Sequence, residues 1–142
     1  MAYFSQKQVD RLSPANLDIL EALARYRYLT SRQIIALGIV SQRSNLSRVT
    51  SRFEVFTKPL IERSRYSSPA PEGGGRRSKE DLLTLTKRGA EFLAQIEPDR
   101  DDDIRFVNSK GVSARDYDHT RETVDFHILL DQFAAMYGVK VD

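Results

Sequence analysis

Residues 30–56 read TSRQIIALGIVSQRSNLSRVTSRFEVF, and this stretch decides the fold. Thr30 with Gln33 three places on is a capping-box pattern, in which the threonine oxygen accepts a first-turn amide and the glutamine reaches back to the threonine amide. Ile34, Ile35 and Leu37 make the helix that follows apolar on one side, and Gly38 suits the left-handed turn that ends a helix. A new cap signal at Ser41 or Ser44 comes only a few residues later. The next helix, predicted over residues 43–56, puts Leu46, Val49, Phe53 and Phe56 on one side of the wheel. Ser44, Ser47, Arg48 and Ser51 fall opposite, flanked by Arg43 and Arg52. Glu54 is its only acid and projects nearer the apolar side, so the outward face has no carboxylate, whereas a merely solvated face usually mixes both signs.

Working upstream, Ser13 followed by Pro14 reads as a helix start, with Leu17, Ile19, Leu20, Leu23 and Ala24 as its apolar side to about Arg25, then a connector over residues 26–29. Downstream, residues 60–66 alternate as a weak strand. Residues 67–81 form a loop carrying Gly73, Gly74 and Gly75 beside Arg76, Arg77 and Lys79, and the chain returns as a strand at Leu82–Leu85. Thr86 caps a further helix with Ala90, Phe92, Leu93 and Ile96 turned to the core. Helix, helix, turn, helix, strand, basic loop, strand, helix is the order of a winged helix-turn-helix: mainly α with a small β-hairpin wing, here with an added C-terminal amphipathic helix.

That added part begins with the aspartate-rich run 98–103, which reads as an exposed linker. Residues 104–107 form a short strand candidate and residues 108–116 look irregular. Asp118 and His119 open a last helix to Tyr137, with His119 packed at its joint to the preceding domain. Phe126, Leu129, Leu130, Phe133, Met136 and Tyr137 line one side of this helix, and Val124, Ile128 and Ala135 the other. The stripe requires burial, and with apolar residues on both sides the helix is expected to be covered twice, by its own domain and by a second subunit as a homodimer; the other reading is that it packs on its own domain alone. The chain divides into a DNA-binding domain at 1–97 and an acidic linker with a dimerisation helix at 98–142.

The 142 residues, 40% of them hydrophobic, suffice for one core. No cysteine is present, which excludes disulfides, thiolate metal sites and a cysteine nucleophile and suits a reducing cytoplasm. The N-terminal ten residues lack the apolar run of a secretion signal, and no stretch approaches the roughly 20 apolar residues of a membrane span. A soluble protein is expected. The net charge of +2 hides an asymmetry: 16 Lys and Arg against 10 Asp and Glu up to Glu97, and 6 against 10 from Pro98 on. Between Arg25 and Arg88 there are 14 basic and 5 acidic residues. Such a surface can replace phosphate counterions, or simply keep a protein soluble.

On the winged-helix reading, the candidate contacts to double-stranded DNA are Gln42, Arg43, Ser44, Asn45, Ser47, Arg48, Ser51 and Arg52, with Arg76, Arg77 and Lys79 on the wing. Arginine suits guanine edges or phosphates, glutamine and asparagine suit adenine, and serines allow close approach. For any one of them phosphate contact is the more frequent role. The triple glycine lacks both the P-loop ending and the GxGxxG spacing of nucleotide sites. His119 and His127 stand about 80° apart around a helix, unlike the i, i+4 pair of a metal site, and no nucleophile elbow is present. No enzyme activity, cofactor or metal is expected.

The segments LDILEALARYRYLTSRQIIALG and GGGRRSKEDLLTLTKRGAEFL, with the later DHTRETVDFHILL, resemble the replication-relaxation family of bacterial, plasmid and phage winged-helix proteins. The resemblance spans residues 17–130. Its Leu85, Thr86 and Gly89 pattern is shared with many winged-helix regulators, and the combination with Asp118 and His119 narrows it. The resemblance implies DNA binding in transcriptional regulation or as a plasmid or phage replication accessory protein. It implies no nicking chemistry, since a relaxase needs clustered histidines beside a nucleophilic tyrosine and this chain has no adjacent histidine pair. The alternative reading is a protein-protein adaptor on the same scaffold.

Overall fold

The computed structural model describes residues 4–56, 58–65, 67–69, 76–78, 81–99, 104, 106 and 114–138. Helix α1 (Gln6–Asp10) is set by a capping box of Ser5 and Gln8, a helix that the sequence pattern did not announce. Helix α2 (Pro14–Tyr26) starts as expected: Ser13 Oγ accepts the Asn16 amide at 3.3 Å and Asn16 Oδ1 accepts the Ser13 amide at 3.1 Å. Its end is abrupt because Arg27 takes φ +75°, turning the chain into the short strand β1 (Tyr28–Leu29) where a plain connector was expected.

Helix α3 (Ser31–Ala36) carries the Thr30 and Gln33 capping box. Gly38 follows at φ +80° with open space around it, so conformation rather than crowding calls for glycine there. Helix α4 covers Arg43–Ser51. Two expectations for it are corrected. Neither Ser41 nor Ser44 caps it; extended Gln42 is the N-cap and makes no side-chain capping bond. Nor does the α-helix run on to Phe56, because a 3-10 turn takes over at Arg52–Val55 and ends with the Phe56 amide on the Phe53 carbonyl. At three residues per turn, side chains three apart eclipse. Phe53 and Phe56 thus both reach the core.

Strands β2 (Ile61–Ser64) and β1 flank β5 (Leu82–Leu85) in an antiparallel three-stranded sheet of order β1-β5-β2. All four residues of β5 are buried, as a central strand covered on both faces requires. Part of the expected loop is a further ladder: β3 (Ser67–Pro69) pairs antiparallel with β4 (Arg76–Ser78), in register Ser68 with Arg77 and Pro69 with Arg76. The glycines 73–75 and Lys79 lie outside the described residues.

After β5, Thr86 Oγ1 accepts the Gly89 amide at 3.0 Å and opens α5 (Lys87–Ile96). The same hydroxyl donates to the Pro59 carbonyl at 2.7 Å, and the Thr86 amide to the Leu60 carbonyl at 3.1 Å, so helix start and strand entry are tied together. Phe4, Phe56 and Phe92 meet edge to face at 4.9–5.8 Å, and the Gln95 amide group brackets the Phe4 backbone with two bonds. The N-terminal segment is thereby sewn onto α5.

Ile104 and Phe106 pack against the core without forming a strand, while 101–103, 105 and 107–113 lie outside the described residues. Helix α6 (Tyr117–Tyr137) begins one residue before Asp118, with Asp116 as an N-cap that makes no side-chain capping bond. Asp118 and His119 lie inside the first turn, so neither is the cap; His119, though exposed, borders a depression with Tyr26 and Tyr28, and buried Tyr117 anchors the helix start. Val124 and Ile128 enter the same core as α2 and β5. Ala135, expected on the side of Val124 and Ile128, is exposed, and Ala134 is the buried residue there. The stripe from Phe126 to Tyr137 faces outward, 37–76% exposed, so burial on its own domain is not what the fold provides. Among the described residues no helix is long and apolar enough to cross a membrane.

Gly89 is the tightest of the described glycines: a Cβ there would meet the Leu60 carbonyl oxygen and sit 2.6 Å from Leu85 Cδ1. Gly89→Ala is expected to destabilise by about 1–3 kcal/mol or more, the cost of overpacking against backbone, despite alanine's better helix propensity. A urea denaturation midpoint at or above wild type would contradict this placement.

Candidate functional site

Helix α4 is held from behind. Leu46 and Phe53 are buried, and Asn16 Nδ2 donates to the Val49 carbonyl at 2.7 Å. Asn16 is fully buried, and its other polar atom completes the α2 cap, so one side chain both starts α2 and fixes α4. In front, Gln42, Arg43, Ser44, Ser47, Arg48, Ser51 and Arg52 are exposed and Asn45 half-buried. Not all are equally available to a ligand. Ser51 donates to the Arg48 carbonyl at 2.7 Å, Asn45 Nδ2 to Ser41 Oγ at 3.2 Å, and Arg52 Nη1 to the Arg11 carbonyl at 3.4 Å.

Two depressions flank this face and bring in residues that the sequence pattern did not single out. Ser47, Thr50 and Ser51 share a groove of about 350 Å³ with Arg63 of β2, which also lies 3.6 Å from Asp81. On the other side, Arg43 borders a cavity of about 480 Å³ with Arg32 and Arg121, balanced by Asp118 and Asp125. Gln33 crosses beneath it, donating to Asp125 Oδ1 at 2.9 Å and to the Arg121 carbonyl at 3.0 Å. Arg63 was legible as part of an alternating strand; Arg32 and Arg121 were not, because only the docking of α6 brings them to α4. Arg76 and Arg77 lie on β4, opposite Pro69 and Ser68, and Lys79 lies outside the described residues. The sequence-predicted residues on α4 thus form one surface.

Helix α6 is clamped to α2 by one carboxylate. Asp131 accepts a two-pronged bond from Arg25, Nη2 to Oδ1 and Nε to Oδ2, both 2.6 Å, and the Tyr26 hydroxyl donates to Oδ2 at 2.6 Å. His127 stands 3.8 Å from Oδ2 and edge-on to Tyr26 at 4.8 Å. The Arg25 and Tyr26 hydrogen bonds hold Asp131 below the usual carboxylate range, outweighing partial burial, and the carboxylate raises Arg25 in return. Burial first, then the bond to Asp131, pushes the Tyr26 phenol up to about 12.

No group of three or more His, Cys, Asp or Glu able to hold a metal occurs among the described residues. Comparisons with models of protein families, with characterised proteins and with solved structures find no match.

Asn16→Ala is expected to cost about 1–3 kcal/mol, since the fully buried amide gives up both its bond to the Val49 carbonyl and its bond from the Ser13 amide. Amide exchange in α4 rises with it; protection equal to wild type would remove Asn16 from the support of this face. For α6 the signs are opposite at the two ends of the pH scale. Asp131 is depressed, so its contribution is complete above the ordinary carboxylate value of 3.8 and is lost as pH falls below it. Tyr26 is raised, so its contribution is complete below 10.0 and is lost as pH climbs toward 12. Protection of the α6 amides, taken relative to the intrinsic exchange rate at each pH, should therefore be greatest between these limits, with the acid limb absent in Asp131→Asn.

Proposed function

We propose that this chain is a winged helix-turn-helix protein that binds double-stranded DNA, with α4 as the recognition helix and the β3–β4 hairpin as the wing. The observation that carries the reading is the exposed face from Gln42 to Arg52, which holds three arginines, serines and amides without a carboxylate, on a helix pinned from behind by Leu46, Phe53 and Asn16. A rigid helix of this composition meets the needs of major-groove entry: cations for phosphates, short hydroxyls for close approach and amides for base edges. Arg63 beside α4 extends the positive surface, and Arg76 and Arg77 belong to the hairpin strand β4, the part that a winged helix lays along an adjacent phosphate backbone.

The protein acts in the cytoplasm as a transcriptional regulator or as a plasmid or phage replication accessory protein of the replication-relaxation type. It acts by binding rather than by catalysis, and as a homodimer joined through α6. The exposed stripe of α6 also favours a second reading, an adaptor that uses the scaffold to hold another protein.

Binding to mixed-sequence duplex DNA over a salt series separates the two. Wild type should bind with steep salt dependence. Replacing Arg43, Arg48 and Arg52 by alanine should cost about tenfold or more in affinity and flatten the salt slope by about one for each phosphate that these arginines neutralise. A wild type that binds no duplex at low salt would sink the DNA reading and leave the adaptor.

A further inference from the structure

Helix α6 shows two faces with opposite fates. Val124 and Ile128 are in the core and Asp131 is locked to Arg25 and Tyr26, so the helix cannot roll to hide its other side without breaking that clamp. On that other side, Phe126, Leu129, Phe133, Met136 and Tyr137 are 57–76% exposed and Leu130 37%. Together they leave on the order of 700 Å² of side chain in water, more than the roughly 300–600 Å² of the largest apolar patch on a typical monomer. The stripe runs only about 17 Å along the axis, three turns. Phe133 and Tyr137 already rest on each other, ring centroids 4.6 Å apart, which presents a formed ledge rather than loose side chains.

We propose that the occupant is a second copy of this chain, packed antiparallel, stripe on stripe, with the two-fold axis crossing α6 near residues 131 and 132. This deepens the dimer named above and specifies its geometry. Area supports a copy: two such stripes covering each other would remove roughly 1,400 Å² in total, within the range of stable interfaces. Charge selects the direction. Glu122 lies on the stripe side one turn before Phe126, is largely exposed and makes a long, solvent-screened contact of 3.7 Å with Arg121. A parallel pair would set Glu122 beside its own copy next to an apolar contact. The antiparallel pair separates the two by about 28 Å, several Debye lengths at physiological salt. It also opposes the helix dipoles and sets Leu130, close to the axis, against the partner copy's larger Phe133. Because the clamp fixes α6 to α2, the two α4 faces are held in one symmetric relation. On the DNA reading that relation defines a two-fold symmetric site.

The test is run first without DNA. Light scattering after gel filtration should give twice the chain mass for wild type and a single chain mass for Leu129→Asp with Phe133→Asp, whose circular dichroism should be unchanged because both side chains are exposed. The chain has no cysteine, so Leu130→Cys and Glu122→Cys each add one. Under mild oxidation Leu130→Cys, near the axis, should form a linked dimer and Glu122→Cys should not; this pair decides the matter even if the double aspartate variant fails to fold. A monomeric wild type, or linkage through Glu122→Cys, overturns the proposal. A dimer of this geometry that binds no DNA leaves it standing and sinks the DNA reading, whereas a monomer that binds DNA does the reverse.

Discussion

The constraint on which the rest of the structure hangs is the complete burial of β5. Four residues, Leu82, Leu83, Thr84 and Leu85, are sealed from water, so every backbone group among them must find a partner and both faces must be covered. β1 and β2 supply the ladders on its two edges. α2, lying against the strand, and α5, leaving it through Thr86, supply the cover. Gly89 is small because α5 must leave β5 beside the Leu60 carbonyl that Thr86 is bonded to. The Leu85, Thr86, Gly89 spacing is thus a packing requirement of this junction.

What the core does for α4 is to separate support from display. Burial of Leu46 and Phe53 sets its rotation, and the Asn16 bond sets its position along α2, while the outward side chains add exposed bonds of their own, Ser51 to the Arg48 carbonyl and Arg52 to the Arg11 carbonyl. With Gln42 extended and making no side-chain capping bond, the start of α4 lacks a side-chain cap, at some cost in helix stability.

The legible parts of the fold were those decided within a few residues. The caps at Ser13, Thr30 and Thr86, the glycine turn at Gly38 and the inward sides of α2 and α4 follow from local hydrogen bonding and periodicity, and so does most of the α4 surface. The missed parts are tertiary. Tyr28 and Leu29 become a strand only because β5 offers an edge, and the first helix is fastened by Phe4 against Phe56 and Phe92 some 50 and 90 residues away. The switch at Arg52 to a 3-10 turn is set by the need to seat two phenylalanines three apart. Arg32 and Arg121 gain their place beside Arg43 only when Gln33 meets α6.

Helix α6 shows most clearly why periodicity alone misjudges a helix with two apolar sides. The longer stripe, with two phenylalanines and a tyrosine, looks like the core face, yet the body takes the shorter side with Val124 and Ile128. The deciding residue is polar. Asp131 sits on the side of Ile128, and a carboxylate gripped by a guanidinium fork and a phenol fixes rotation more sharply than apolar packing, which is non-directional. Had the stripe turned inward, Asp131 would have been parted from both partners and the core would have had to accept bulky aromatics where Val124 and Ile128 now fit. The exposed stripe is thus the counterpart of a specific polar lock.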